Sequence, residues 1–137
     1  MYTYTVQKLV KVVDGDTIDV IIDLGYSMFK QERIRLAGID TPESRTRNLA
    51  EKAMGLEAKA YLKMRLKACK KLVVRTEKEG KYGRMIGWLY EGNPEGSGYQ
   101  TINEDMILLG YAWAYDGTKK VKDLNVLKEK RNGSPVI

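Results

Sequence analysis

The chain contains no histidine. Imidazole is therefore absent as acid, base or metal ligand, which excludes Ser-His-Asp and Cys-His catalysis and every histidine-held metal. Cysteine occurs once, at Cys69, so neither an internal disulfide nor a cysteine-cluster zinc site can form. A metal here must be hard and oxygen-bound, such as calcium, magnesium or manganese. Apolar runs long enough to span a bilayer are missing too, and no membrane partner is expected. Met1-Tyr2-Thr3-Tyr4-Thr5-Val6 lacks the basic segment and apolar stretch of a secretion signal. The chain as written is expected in the cytoplasm, with secretion of a trimmed precursor left open.

What remains for chemistry is carboxylate, arginine, lysine and tyrosine. The 137 residues suit a single domain, 1–137, whose folding can bury roughly two-thirds of the unfolded surface. Lysine and arginine number 24 against 18 acidic residues, a formal net charge of +6. That excess suits a polyanionic partner such as nucleic acid, or serves solubility alone. A monomer is expected.

Residues 2–13 are rich in Tyr, Thr and Val and read as a strand, ended by an Asp14-Gly15 turn. Ile18, Val20 and Ile22 alternate with polar residues in a second strand over 17–23. A third is expected over 32–39, with Ile34 and Leu36 on one side and Arg33 and Arg35 on the other, stopped by Pro42. Met54, Ala58, Leu62, Leu66 and Cys69 have helical spacing, predicting a helix over 50–69. Its Lys59, Lys63, Lys67 and Lys70 read as a solvated face. Strands follow over 72–76 and 84–90, then a loop over 91–98. Asn103 suits a helix N-cap and Gly110 a helix exit, and a last helix is expected over 121–131, with Val121, Leu124 and Leu127 inward. Strands come first and helices late, without a βαβ rhythm. The fold class is therefore α+β, and short strands in a basic chain point toward an OB-type barrel.

Three short stretches stand apart from this scaffold. Asp16 opens a strand, where aspartate is disfavoured. Arg35 sits inside an apolar strand, and Asp40-Thr41-Pro42-Glu43 forms a proline-stiffened acidic bend after it. Lys81-Tyr82-Gly83-Arg84 is a basic turn. Each alone has an ordinary structural explanation. Together they suit one reaction, because a phosphodiester gains negative charge in its transition state. Arginine forks at Arg35 and Arg84 can hold two phosphate oxygens and stabilise that charge. Two aspartates and a backbone carbonyl suit calcium, and Glu43 remains to orient a water or take its proton.

These stretches, Val-Asp-Gly-Asp-Thr, Arg-Leu-Ala-Gly-Ile-Asp-Thr-Pro-Glu and Lys-Tyr-Gly-Arg, resemble the thermonuclease, or staphylococcal-nuclease-like, family from about Lys11 to Tyr115. The resemblance implies an OB-fold-type five-stranded antiparallel β-barrel with three α-helices. It implies Ca2+-dependent hydrolysis of DNA and RNA with little sequence specificity, leaving 3′-phosphate and 5′-hydroxyl ends. By the same resemblance Asp16 and Asp40 are calcium carboxylates, and Thr41 offers its backbone carbonyl. Arg35 and Arg84 are the phosphate-binding pair, and Glu43 is the general base or the organiser of the water network. Lys81 and Tyr82 lie near a terminal phosphate. Tyr115 is expected to stack on a base, and Trp113 either joins it or belongs to the core. The turn before Lys81 is shorter than in the type member, and the loop from Glu91 to Gln100 longer.

A non-catalytic OB-fold nucleic-acid-binding module is the alternative, but an acidic cluster facing phosphate repels it unless a cation intervenes. A two-metal nuclease would need further carboxylates, and a membrane-surface protein a stronger apolar helix face. A nonspecific nuclease inside a cell needs restraint. Scarce calcium, or brief supply by a phage or mobile element, would provide it.

Overall fold

The computed structural model describes residues 2–77, 85–117 and 123–132. Three strands, β1 (Tyr2–Asp14), β2 (Thr17–Gly25) and β3 (Met28–Leu36), form an antiparallel meander. A short strand β4 (Ile39–Asp40) leads to helix α1 (Leu49–Lys67). Strands β5 (Leu72–Thr76) and β6 (Met85–Glu91) pair antiparallel, and helix α2 (Ile102–Leu108) follows. The two-residue strand β7 (Trp113–Ala114) pairs with β4, and α3 (Leu124–Arg131) comes last.

The barrel closes in the order β1-β2-β3-β6-β5, with β5 returning to pair with β1. Four of its pairings are antiparallel as expected, and the closing one, β3 with β6, is parallel. Sequence alternation cannot show this, because it reports which face a residue presents and not which strand lies beside it. The alternating Ile18, Val20, Ile22, Ile34, Leu36, Val74 and Leu89 fill the interior, all almost fully buried. Outside it, Arg33 grips Asp19 with two hydrogen bonds of 2.8 and 3.1 Å, which holds the Asp19 carboxyl below its usual range.

The third strand begins earlier than sequence suggests, because residues 25–28 make a tight hairpin. Its two central residues, Tyr26 and Ser27, take the left-handed conformation, at φ 57° and 59°. That is the turn whose twist matches paired strands, although glycine and asparagine usually supply it. The expected strand over 32–39 breaks after Leu36, where the positive φ of Gly38 turns the chain into β4.

Helix α1 buries Met54, Ala58, Leu62 and Leu66, the predicted stripe. It ends before Cys69, which still packs against the core. Burial pushes the Cys69 thiol up, against the pull of the neighbouring Arg65 guanidinium. Arg65 also reaches Glu91 at 2.9 Å, tying the end of α1 to β6.

Thr101, not Asn103, caps α2 by accepting from the Glu104 N–H at 3.0 Å. Asn103 is instead buried inside the first turn. Gly110 exits the helix at φ 80°, as expected. Helix α3 starts at Leu124 behind an Asp123 cap, with Leu127 fully buried and Leu124 packed beside Met54 and Trp113. Val121 lies outside the described residues. Among the described residues, no helix is long and apolar enough to cross a membrane.

Candidate active site

The site is assembled from two turns and one strand. The β1–β2 turn presents Asp16, β3 presents Arg35, and β4 with the loop behind it carries Asp40, Thr41 and Glu43. Cross-strand register sets Arg35 opposite Thr17, so Asp16 and Arg35 are neighbours although 19 residues apart.

The Arg35 guanidinium lies between the two aspartates, 3.4 Å from Asp16 Oδ2 and 3.7 Å from Asp40 Oδ1. It also donates to the backbone carbonyls of Asp16, Leu36 and Ile39 at 3.4, 3.1 and 3.0 Å. These contacts orient the side chain and pin the turn from Leu36 to Asp40. Two carboxylates and one guanidinium leave a formal charge of −1 in a region where all three side chains are less than a fifth exposed. Asp16 Oδ1 accepts from the Thr17 hydroxyl at 3.0 Å, and its Oδ2 accepts from the Thr41 N–H at 3.4 Å.

The donor set fits a hard divalent cation. It is oxygen-only and anionic, and the buried Thr41 Oγ1 finds no hydrogen-bond partner among the described residues. Those residues contain no group of three or more His, Cys, Asp or Glu side chains placed to hold a metal. A cation held by Asp16 and Asp40 would need backbone oxygens and water to complete its shell.

Glu43 is exposed, beside rather than inside this part-buried trio. Its loop is fixed from both sides. The Glu43 N–H donates to Glu51 of α1 at 3.0 Å, and the Ser44 hydroxyl donates to Asp14 at 2.8 Å. Gly55 lets α1 approach closely, since a Cβ there would lie 2.6 Å from the Glu43 carbonyl and 2.7 Å from that of Pro42. Gly15 similarly admits Thr41, whose hydroxyl would lie 3.0 Å from an added Cβ. Sequence reasoning took Asp14-Gly15 only as a turn and passed over Ser44, Glu51 and Gly55. The glycine inside a helical pattern was the one available signal.

Tyr115 follows β7, and its N–H donates to Gly38 O at 2.8 Å, which sets it against the turn between Arg35 and Asp40. Trp113 resolves to core. It is 8% exposed and its indole N–H donates to the Asp123 carbonyl at 3.0 Å, anchoring the start of α3. Lys81, Tyr82 and Arg84 lie outside the described residues.

Residues 33–132 match the family model described as staphylococcal nuclease homologue. The chain belongs to that family. Asp16 precedes the matched span, and the barrel register brings it to the residues that lie within it. This nuclease homologue is 37% identical to a protein named micrococcal nuclease from Shigella flexneri, over 79% of the chain and 57% of that protein. It is 34% identical to a thermonuclease of Staphylococcus hyicus, over 78% of the chain and again 57% of that protein. An uncharacterised protein of Methanocaldococcus jannaschii is 32% identical over 90% of the chain and 67% of its own length. The homologue thus spans little more than half the length of either named nuclease.

Proposed function

We propose that this chain is a calcium-dependent nuclease that hydrolyses phosphodiester bonds of DNA and RNA with little sequence specificity, leaving 3′-phosphate and 5′-hydroxyl ends. The observation that carries the reading is the part-buried trio of Asp16, Arg35 and Asp40, with the Glu43 backbone held beside it. Family membership and the names of the similar nucleases support it. A pure binding module gains nothing from two carboxylates held next to a phosphate.

Asp16 and Asp40, with the Thr41 carbonyl, would hold the calcium ion. Bound there, calcium supplies charge that polarises a phosphoryl oxygen. Arg35 presents a fixed guanidinium to the equatorial oxygens, where negative charge accumulates in the transition state. Arg84, placed by its motif alone, is the second such group. Glu43 orients the attacking water and accepts its proton. An O–P bond then forms, the bond from phosphorus to the 5′ oxygen breaks, and that oxygen takes a proton from solvent water to leave as the 5′-hydroxyl, while Glu43 returns its proton to solvent. The phosphate stays on the 3′ side. Water as nucleophile leaves the ribose 2′-hydroxyl unused, so DNA is cut as well as RNA. Lys81 and Tyr82 meet a terminal phosphate, and Tyr115 a base.

Digestion of a defined oligonucleotide with calcium, with magnesium and with chelator tests this reading. Cleavage is expected with calcium, with product masses showing 3′-phosphate ends. Glu43→Gln, at an exposed position, should fold normally and lose kcat by about 10²-fold or more. Asp40→Asn should weaken calcium binding measured by titration calorimetry. Predominant 5′-phosphate ends, or calcium binding untouched by Asp40→Asn, would reject the mechanism. Strand binding without cleavage under any metal would identify a binding module instead.

A further inference from the structure

Behind the turn that carries Asp40 lies a second concavity. It is an open cleft of about 420 Å³ between β6, α2 and the loop joining them, walled on one side by Gly38 and Ile39. Its aromatic lining is Trp88, Tyr90 and Tyr99. Strand geometry explains why they gather. Val74 and Leu89 point into the barrel, so their neighbours Arg75 and Trp88, paired across β5 and β6, point out. Two residues on, Tyr90 shares the outer face of β6.

Tyr99 arrives from the loop. It is a non-glycine residue at φ 63°, held there by its N–H donating to the Pro94 carbonyl at 2.8 Å. In that conformation the ring lies at the cleft while remaining 55% exposed. The Arg75 guanidinium stands 6.0 Å from the ring centroid, and its buried Nε has no hydrogen-bond partner among the described residues. This is a residue-costly way to build a surface loop, and it concentrates rings where water could otherwise sit.

The cleft's polarity selects its occupant. The charged residue among those lining it is Glu104, and neither lysine nor arginine joins it there. A phosphate would be repelled, whereas the face of a nucleobase would stack on the rings and could offer an amino group to Glu104. The wall also connects the cleft to the phosphate site. Ile39, which lines it, gives its carbonyl to Arg35 at 3.0 Å and directly precedes Asp40.

We propose that this cleft is an accessory base-stacking subsite, which takes a nucleobase of a single-stranded polynucleotide away from the phosphate being cut. Trp88 and Tyr99 supply the stacking faces, and Arg75 holds Tyr99 in place. The inference rests on the nuclease reading for the identity of the strand, but it is tested without cleavage.

Trp88 is a direct reporter, because the chain's other tryptophan, Trp113, is buried in the core. The chain is titrated with single-stranded DNA, and with the same strand made abasic, in calcium-free low-salt buffer. The Glu43→Gln chain is titrated in parallel with calcium. Saturable fluorescence quenching is expected with bases and not with the abasic strand. Tyr99→Ser should weaken the affinity by roughly five-fold or more, the scale of one base–aromatic contact. Trp88→Phe keeps a ring and should bind while abolishing the quenching signal. Equal binding of normal and abasic strands, unchanged affinity in Tyr99→Ser, or no quenching in either titration would overturn the proposal. A parallel digestion separates the two readings. Cleavage without quenching removes the subsite and leaves the nuclease, whereas quenching without cleavage removes the nuclease and leaves a base-binding cleft.

Discussion

Asn103 accepts from the Leu89 N–H at 2.9 Å and donates to the carbonyls of Ala37 and Gly87 at 2.8 and 3.0 Å. These groups lie where β3 turns away from β6, and the amide continues the barrel seam that the two strands abandon. The side chain is 3% exposed, so no water can readily replace it. Asn103→Leu should therefore leave the Leu89 N–H and the Ala37 carbonyl without these partners, while the Gly87 carbonyl keeps the Ala37 N–H at 2.8 Å. At about 1–3 kcal/mol for each unsatisfied buried group, partly relieved by relaxation, we expect a loss of roughly 3–5 kcal/mol. Denaturant unfolding measures it, and a loss under about 1 kcal/mol would show that the seam closes without the amide. The position reads as an N-cap from sequence because asparagine favours caps. Thr101 satisfies the helix end, and what Asn103 bonds to lies 14 to 66 residues away.

At the scale of elements, the contact between α1 and the Glu43 loop links helix packing to chemistry. Gly55 is the point of closest approach, facing backbone atoms that cannot rotate aside. Gly55→Ala sets two effects against each other. Alanine favours the helix by about 1 kcal/mol, whereas overpacking costs typically ~1–3 kcal/mol. Stability should thus fall modestly, by about 0–2 kcal/mol, with the loop giving way. Activity should fall much further, because displacing a catalytic group by about 1 Å can cost on the order of 10²-fold. A thermal melt and a kcat measurement on the same variant check this. Unchanged turnover would mean that α1 does not position Glu43.

For the whole molecule, the net charge of +6 coexists with an acidic, part-buried trio at the candidate site. The exposed basic groups include Lys63 and Lys67 on the outer side of α1, with Lys59 half-buried beside them. On the proposed function, attraction of a strand would be general and electrostatic, while cleavage would be local. Binding of single-stranded DNA to the Glu43→Gln chain should fall steeply with salt. Three phosphate contacts would cost about 20-fold between ~50 and ~200 mM. Fluorescence anisotropy across that range checks it, and a flat response would exclude the basic surface as the source of affinity.

Element type and family were legible in the linear chain. Missing histidine and a single cysteine restricted any metal site to oxygen donors, and alternation or helical spacing marked β1, β2, β5 and α1 close to their observed bounds. Asp16 and Arg35 stand out as charged residues in apolar strands, and the family resemblance adds Asp40 and Glu43. Tertiary structure alone decided that β3 and β6 run parallel, that Trp113 is core, and that Asn103 mends a seam. It alone set Gly55 against the Glu43 loop, Ser44 against Asp14, and three aromatic rings around a cleft. The physical reason is one of range. Periodicity records which face of its own element a residue presents, whereas a partner across the barrel is fixed by register, chain reversal and close packing between distant segments.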